Sequence, residues 1–216
     1  FHLGKALESL GDFGGAEAAL RQALELEGSQ ASWHVDLAAL YGRMGETEQA
    51  GREYRRALDL APPSYDSYLQ AGAFYREGGL YREAVSLLER AVALAPSRAE
   101  GHHQLGLAKL GIGQPDEGLK ALERAVELSP KEALYQIDLA NGYRARGDHT
   151  EAAKRLLSIV KDWPESAQAH YCLGLALADQ RWHGEAVAPL SRAVELHQEE
   201  PRYRCALARS LVALNQ

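Results

Sequence analysis

The sequence repeats itself every 34 residues, and no other property restricts its folding as strongly. At that interval one column holds Leu3, Leu37, Ala71, Leu105, Leu139, Leu173 and Leu207, and the next holds Gly4, Ala38, Gly72, Gly106, Ala140, Gly174 and Ala208. Later in each repeat come Ala16, Ala50, Ala84, Gly118, Ala152 and Ala186, then Leu20, Tyr54, Leu88, Leu122, Leu156 and Leu190, and at the close Pro62, Pro96, Pro130 and Pro164. No insertion or deletion breaks the series. A period of this size marks a supersecondary unit too small to bury its own apolar surface, so each copy must stack on the next.

Within a repeat the spacing predicts two helices. In the first, apolar and small residues recur at helical intervals, as in Leu37, Ala38 and Tyr41, and a glycine follows at Gly11, Gly45, Gly79, Gly113 and Gly147. Glycine tolerates the left-handed backbone that ends a helix and reverses the chain. In the second helix the Ala and Leu/Tyr columns make another apolar stripe, and the proline stops it. Helices of about 13 residues are each roughly 20 Å long. The Gly/Ala column beside the leucine has a steric reason: a side chain of at most one carbon lets two helix backbones approach closely. Three departures are visible. Arg181 stands where the turn glycine is expected, at a cost of about 1 kcal/mol if its backbone is left-handed. Ile159 and Asp162 interrupt the Ala and Leu columns of one second helix, so a shift in its packing is expected. Pro189 lies inside another, where a kink is expected.

This pattern resembles the tetratricopeptide repeat family, over essentially all 216 residues. The resemblance implies an all-α fold, a right-handed superhelical solenoid of antiparallel helix pairs. It would be a single solenoid over 1–216, with repeats at 1–30, 31–64, 65–98, 99–132, 133–166 and 167–200 and a final helix at 201–216. It also implies a groove lined by the first helices. With the leucine column counted as position 7, the resemblance turns positions 2, 5, 6, 9, 12 and 13 toward that groove; helical spacing also puts them on one stripe.

Position 5 is mostly apolar, with Val35, Leu69, His103, Ile137 and Tyr171, and position 9 adds Leu107, Asn141 and Leu175. An open apolar stripe is the expected signature of a partner-binding surface; the other reading is packing within and between repeats. Position 6 carries Asp36, Gln70, Gln104 and Asp138, a polar ladder similar to the asparagine ladder of O-linked GlcNAc transferases. A carboxamide both donates to and accepts from a peptide backbone, whereas an ionised Asp cannot donate; the bland alternative is a solvated rim. Arg76 and Arg144 at position 12 complete the set. Groove charges are mixed, so steering toward strongly charged ligands is not expected. The carboxylate clamp of the family's chaperone adaptors is matched only at Asn141 and Arg202, which disfavours chaperone tails.

Composition enters as a set of exclusions. A formal net charge of −6 without a basic block argues against a nucleic-acid partner. No apolar run approaches the ~18–20 residues needed to span a bilayer, so membrane insertion is not expected. Cys172 and Cys205 are too few for a disulfide framework, and one solenoid step separates them by more than a disulfide tolerates, so free thiols are expected. His34, His102 and His170 recur at position 4, one repeat apart, and cannot share a metal; they read as large packing side chains. Gly111, Gly113 and Gly118 lack the preceding strand and following Lys-Ser/Thr of a phosphate loop.

The expectation is therefore a non-catalytic scaffold, without cofactor or metal, that binds a protein or peptide ligand. An alternative is the substrate-recognition arm of a larger enzyme, such as a glycosyltransferase, whose catalytic domain lies outside this chain. Self-association through the incomplete solenoid ends is a third expectation. Phe1, falling inside a helix, reads as the start of a piece cut from something longer. Nothing in the sequence sets the compartment, the cytoplasm being slightly favoured over the periplasm.

Overall fold

The computed structural model describes residues 2–26, 30–60 and 63–215, apart from the side chain of Lys5. Phe1 and Pro62, read above as a helix interior and a helix stop, lie outside them. Thirteen helices occupy the described residues: α1 (His2–Ser9), α2 (Phe13–Leu26), α3 (Ala31–Met44), α4 (Thr47–Asp59), α5 (Tyr65–Glu77), α6 (Tyr81–Leu94), α7 (Ala99–Gly111), α8 (Pro115–Leu128), α9 (Ala133–Arg146), α10 (His149–Asp162), α11 (Ala167–Asp179), α12 (His183–Leu196) and α13 (Pro201–Leu214). The fold is all-α, as the repeat predicts. Odd-numbered helices are the first helices of the repeats and even-numbered ones the second.

The chain forms two compact halves, residues 1–108 and 109–216, divided within α7. In the first half, α2 packs on α1 and on α3, α4 on α3 and on α5, and α6 on α5, while α3 and α5 also touch. In the second half each helix from α8 to α13 packs on the next, and α11 touches both α9 and α13. Successive first helices are thus neighbours, which is what creates a continuous first-helix face within each half.

The second helices supply most of the deepest side chains: Leu20, Leu88, Leu122, Leu156 and Leu190 are fully buried, and in the second repeat, where Tyr54 holds that column, Leu40 of α3 is the fully buried one. Each of three sits against the small residue following the leucine column. A Cβ at Gly72 would lie 2.6 Å from Leu88 Cγ, and one at Gly174 only 2.4 Å from Leu190 Cγ, with Gly4 in the same relation to Leu20. The Ala column is buried to the same depth.

The turns follow the sequence pattern closely. Gly11, Gly45, Gly79, Gly113 and Gly147 have φ between 76° and 97°, and Arg181 takes the same left-handed turn with φ 66°. Arg181 is exposed, so nothing but its backbone is at stake. Arg181→Gly relieves roughly 1–2 kcal/mol of left-handed strain but adds unfolded-state entropy. A net gain of about 0.5–1 kcal/mol is expected, checked by urea unfolding. The other departures leave the helix bounds intact. Ile159 is buried within full-length α10, and α12 runs through Pro189 without interruption.

The position 4 histidines prove to be more than bulk. His102 Nε2 donates to Pro96 O and His170 Nε2 to Pro164 O, each at 2.9 Å, and Gln136 Nε2 donates to Pro130 O in the same way. Each bond ties a first helix to the carbonyl that closes the preceding repeat. His34 instead meets the carboxylate of Glu53, with Nδ1–Oε2 at 2.6 Å.

Candidate functional site

The four aligned position 5 residues Val35, Leu69, His103 and Ile137 are only 4%, 5%, 3% and 3% exposed. They are not an open apolar stripe; of the two readings, packing is the one observed. Val35 shares a cluster with Ala38, Tyr54 and Ala71, and Ile137 one with Ala169, Cys172 and Leu173, so each is covered by the first helix of the next repeat. Tyr171 is half-buried against Tyr203, with ring centroids 4.8 Å apart. Among the described residues, the accessible part of the first helices includes position 2, exposed from Ser32 to Arg202, with positions 9, 12 and 13 and, as far as Asp138, position 6.

At position 6, Gln70 is exposed while Asp36, Gln104 and Asp138 are half-buried. Arg76 Nε donates to Gln104 Oε1 at 2.8 Å and its other arm pairs with Glu77 at 3.0 Å. The Gln104 amide NH2 is thereby left as the free donor of that side chain. Leu107 and Leu175 are half-buried at position 9. Asn141, also at position 9, donates to Cys172 Sγ at 3.4 Å. Burial pushes the Cys172 thiol up and outweighs the downward pull of that bond, so it remains a protonated core group and not an activated nucleophile.

Two clefts open on this face, one in each half. The first, 480 Å³, lies between α3 and α5, and the second, 400 Å³, is bounded by α9, α11, α13 and the start of α12. They occupy the same place in the repeat: positions 9, 12, 13 and 17 of one copy and 6, 9 and 10 of the next. A physical reason is visible at position 12. There Gly42 and Ala178 line the clefts, whereas Arg76, Leu110 and Arg144 stand at that position in the intervening repeats. A Cβ built on Gly42 meets nothing within 4 Å.

The two clefts differ in chemistry. The first is lined by Ala39, Ala73, Tyr54 and Phe74, the two rings 5.0 Å apart. Its charges are closed off: Arg43 pairs with Glu8 at 3.1 Å and Glu77 with Arg76. Burial pushes the Tyr54 phenol up to about 12, which keeps it neutral at ordinary pH. The second is lined by Tyr171, Leu175, Ala178 and Ala206 together with Arg144, Asp179, His183 and Arg209. Gly42, Thr47, Phe74, Ala178, His183 and Ser210 were not among the residues the sequence pointed to; the signal that could have found them is the small residue at position 12.

A family model described as "Tetratricopeptide repeat" matches residues 1–65, 35–99, 103–153 and 137–201, nearly the whole chain. The chain belongs to the tetratricopeptide repeat family. Solved structures agree on the fold. This tetratricopeptide chain resembles one from the APC/C hetero-tetramer Cut9–Hcn1 with a TM-score of 0.77 and 18% identity, over 96% of its own length but only 41% of that chain. It resembles pilF of Pseudomonas aeruginosa with a TM-score of 0.76 and 22% identity, covering 96% and 95% of the two chains. It resembles YrrB, described as a TPR protein with an unusual peptide-binding site, with a TM-score of 0.64 and 24% identity, covering 87% and 97%. No curated protein matches it. No helix among the described residues is long and apolar enough to cross a membrane.

Proposed function

We propose that the chain is a non-catalytic scaffold that binds polypeptide on the first-helix face of each half, with a side chain of the bound polypeptide entering the cleft of that half. The observation that carries this reading is the recurrence of one cleft geometry at equivalent repeat positions, each opened by a small residue at position 12. Concave sites of this size, the first mostly apolar and the second more polar, suit side chains of a bound chain. The tetratricopeptide fold supports a protein-interaction scaffold, and its members are generally non-catalytic. YrrB, of the same fold, is described as having a peptide-binding site. Gln70 and the free amide of Gln104 supply backbone donors on α5 and α7; Asp36 and Asp138 accept only. The direct test is Gly42→Arg, which fills the first cleft and is expected to abolish capture of the natural partner.

A further inference from the structure

We infer that the cleft bounded by α9, α11 and α13 receives an acidic side chain, Asp or Glu, from the bound polypeptide. This rests on the polypeptide-binding reading above and adds the chemistry of one subsite. Two guanidinium groups, Arg144 and Arg209, face a single carboxylate, Asp179. Asp179 is already committed: its Oδ2 lies 3.0 Å from Arg144 Nη1 and 3.7 Å from His149 Nδ1. Arg209 is exposed and has no ion pair among the described residues. Two further nitrogens, Arg144 Nε and His183 Nδ1, are buried without a hydrogen-bond partner. The unsatisfied Arg144 N–H beside an uncompensated positive charge is what a carboxylate completes.

The equivalent place in the first cleft isolates this property. Where the second cleft has Arg209, the first has Ala73, and its own charges, Arg43 and Glu77, are paired with Glu8 and Arg76. The positive excess belongs to this cleft and not to the repeat. It also stands against the chain's net charge of −6. Leu175, Ala178 and Ala206 give the methylenes of a Glu an apolar wall. A chain end, by contrast, would bring its carboxylate with a backbone N–H. Position 6 here is Ala206 and the buried Cys172, neither of which grips backbone. An internal side chain is the fitting occupant.

The test is selection of a random peptide library, displayed internally without free termini, on the full chain and on Arg209→Glu. Selected sequences should share an Asp or Glu, and synthetic capped copies should bind Arg209→Glu roughly tenfold more weakly, with Arg209→Lys close to the original. Changing the peptide's Glu to Gln should erase the difference between the original chain and Arg209→Glu. Selected peptides without acidic residues, or with affinity indifferent to Arg209→Glu, overturn the inference. So does binding that requires a free C-terminal acid. Peptides lost with Gly42→Arg but indifferent to Arg209→Glu overturn this inference alone, whereas a library that yields no binder overturns the polypeptide-binding reading with it.

Discussion

Ile137→Arg should unfold the second half of the chain instead of simply weakening a binding surface. Ile137 is 3% exposed and sits among Ala140, Ala169, Cys172 and Leu173. The substitution removes about 1.5–3 kcal/mol of apolar burial and forces a guanidinium among the side chains of an apolar cluster. An unpaired buried charge adds several kcal/mol. A loss of about 5 kcal/mol or more is expected, comparable with the whole stability of an ordinary domain. Circular dichroism during urea unfolding reads it directly, and Leu69→Arg should do the same to the first half. A variant melting within ~1 kcal/mol of the original would mean that position 5 is open to solvent after all.

Gly174→Ala should destabilise the chain although helix propensity predicts the reverse. Ala is favoured over Gly in a helix interior by about 1 kcal/mol. Here, however, the new methyl would lie 2.4 Å from Leu190 Cγ and 2.6 Å from its Cδ2. Leu190 is fully buried, so its branch point has no open side to move into. Overpacking of this kind costs about 1–3 kcal/mol, leaving a net loss of up to roughly 2 kcal/mol. Gly42→Ala is the matched control: its Cβ meets nothing within 4 Å, and it should stabilise by about 0.5–1 kcal/mol. Removing Leu190 as well should make the Gly174→Ala penalty smaller than it is alone, since the two residues share one space. If both Gly→Ala changes stabilise, close approach is not what holds this column small.

The contrast between these two glycines shows what was legible beforehand. The period located every helix pair and turn, down to Arg181 adopting the left-handed conformation of the glycines it replaces. It also explained the small column beside the leucines, because that contact lies within one repeat. Contacts between repeats were harder to read. Helical spacing places positions 5 and 9 on one stripe, yet it does not say how far the next first helix overlaps them. Val35 shares a buried cluster with Ala71 of the next first helix and Ile137 one with Ala169, so position 5 became core while Leu175 and Ala73 stayed on the face. The histidine column was misjudged for the same reason, since the carbonyl that each of His102 and His170 reaches closes the previous repeat. Gly42 and Ala178 looked unremarkable as letters; they matter because a side chain there would fill a cleft.

Gly42→Arg is the most direct measurement of the central claim that the first-helix face binds polypeptide through its clefts. Gly42 is exposed, and nothing obstructs a side chain at that point. The variant should therefore fold and melt like the original, within ~1 kcal/mol, while the new side chain occupies the space between α3 and α5. Ala93→Arg, on the exposed side of α6, adds the same side chain away from that face. With the full chain immobilised against an extract of its own source, the partner retained by the original and by Ala93→Arg should be lost at least roughly tenfold from Gly42→Arg. Undiminished capture by a correctly folded Gly42→Arg chain would contradict the account.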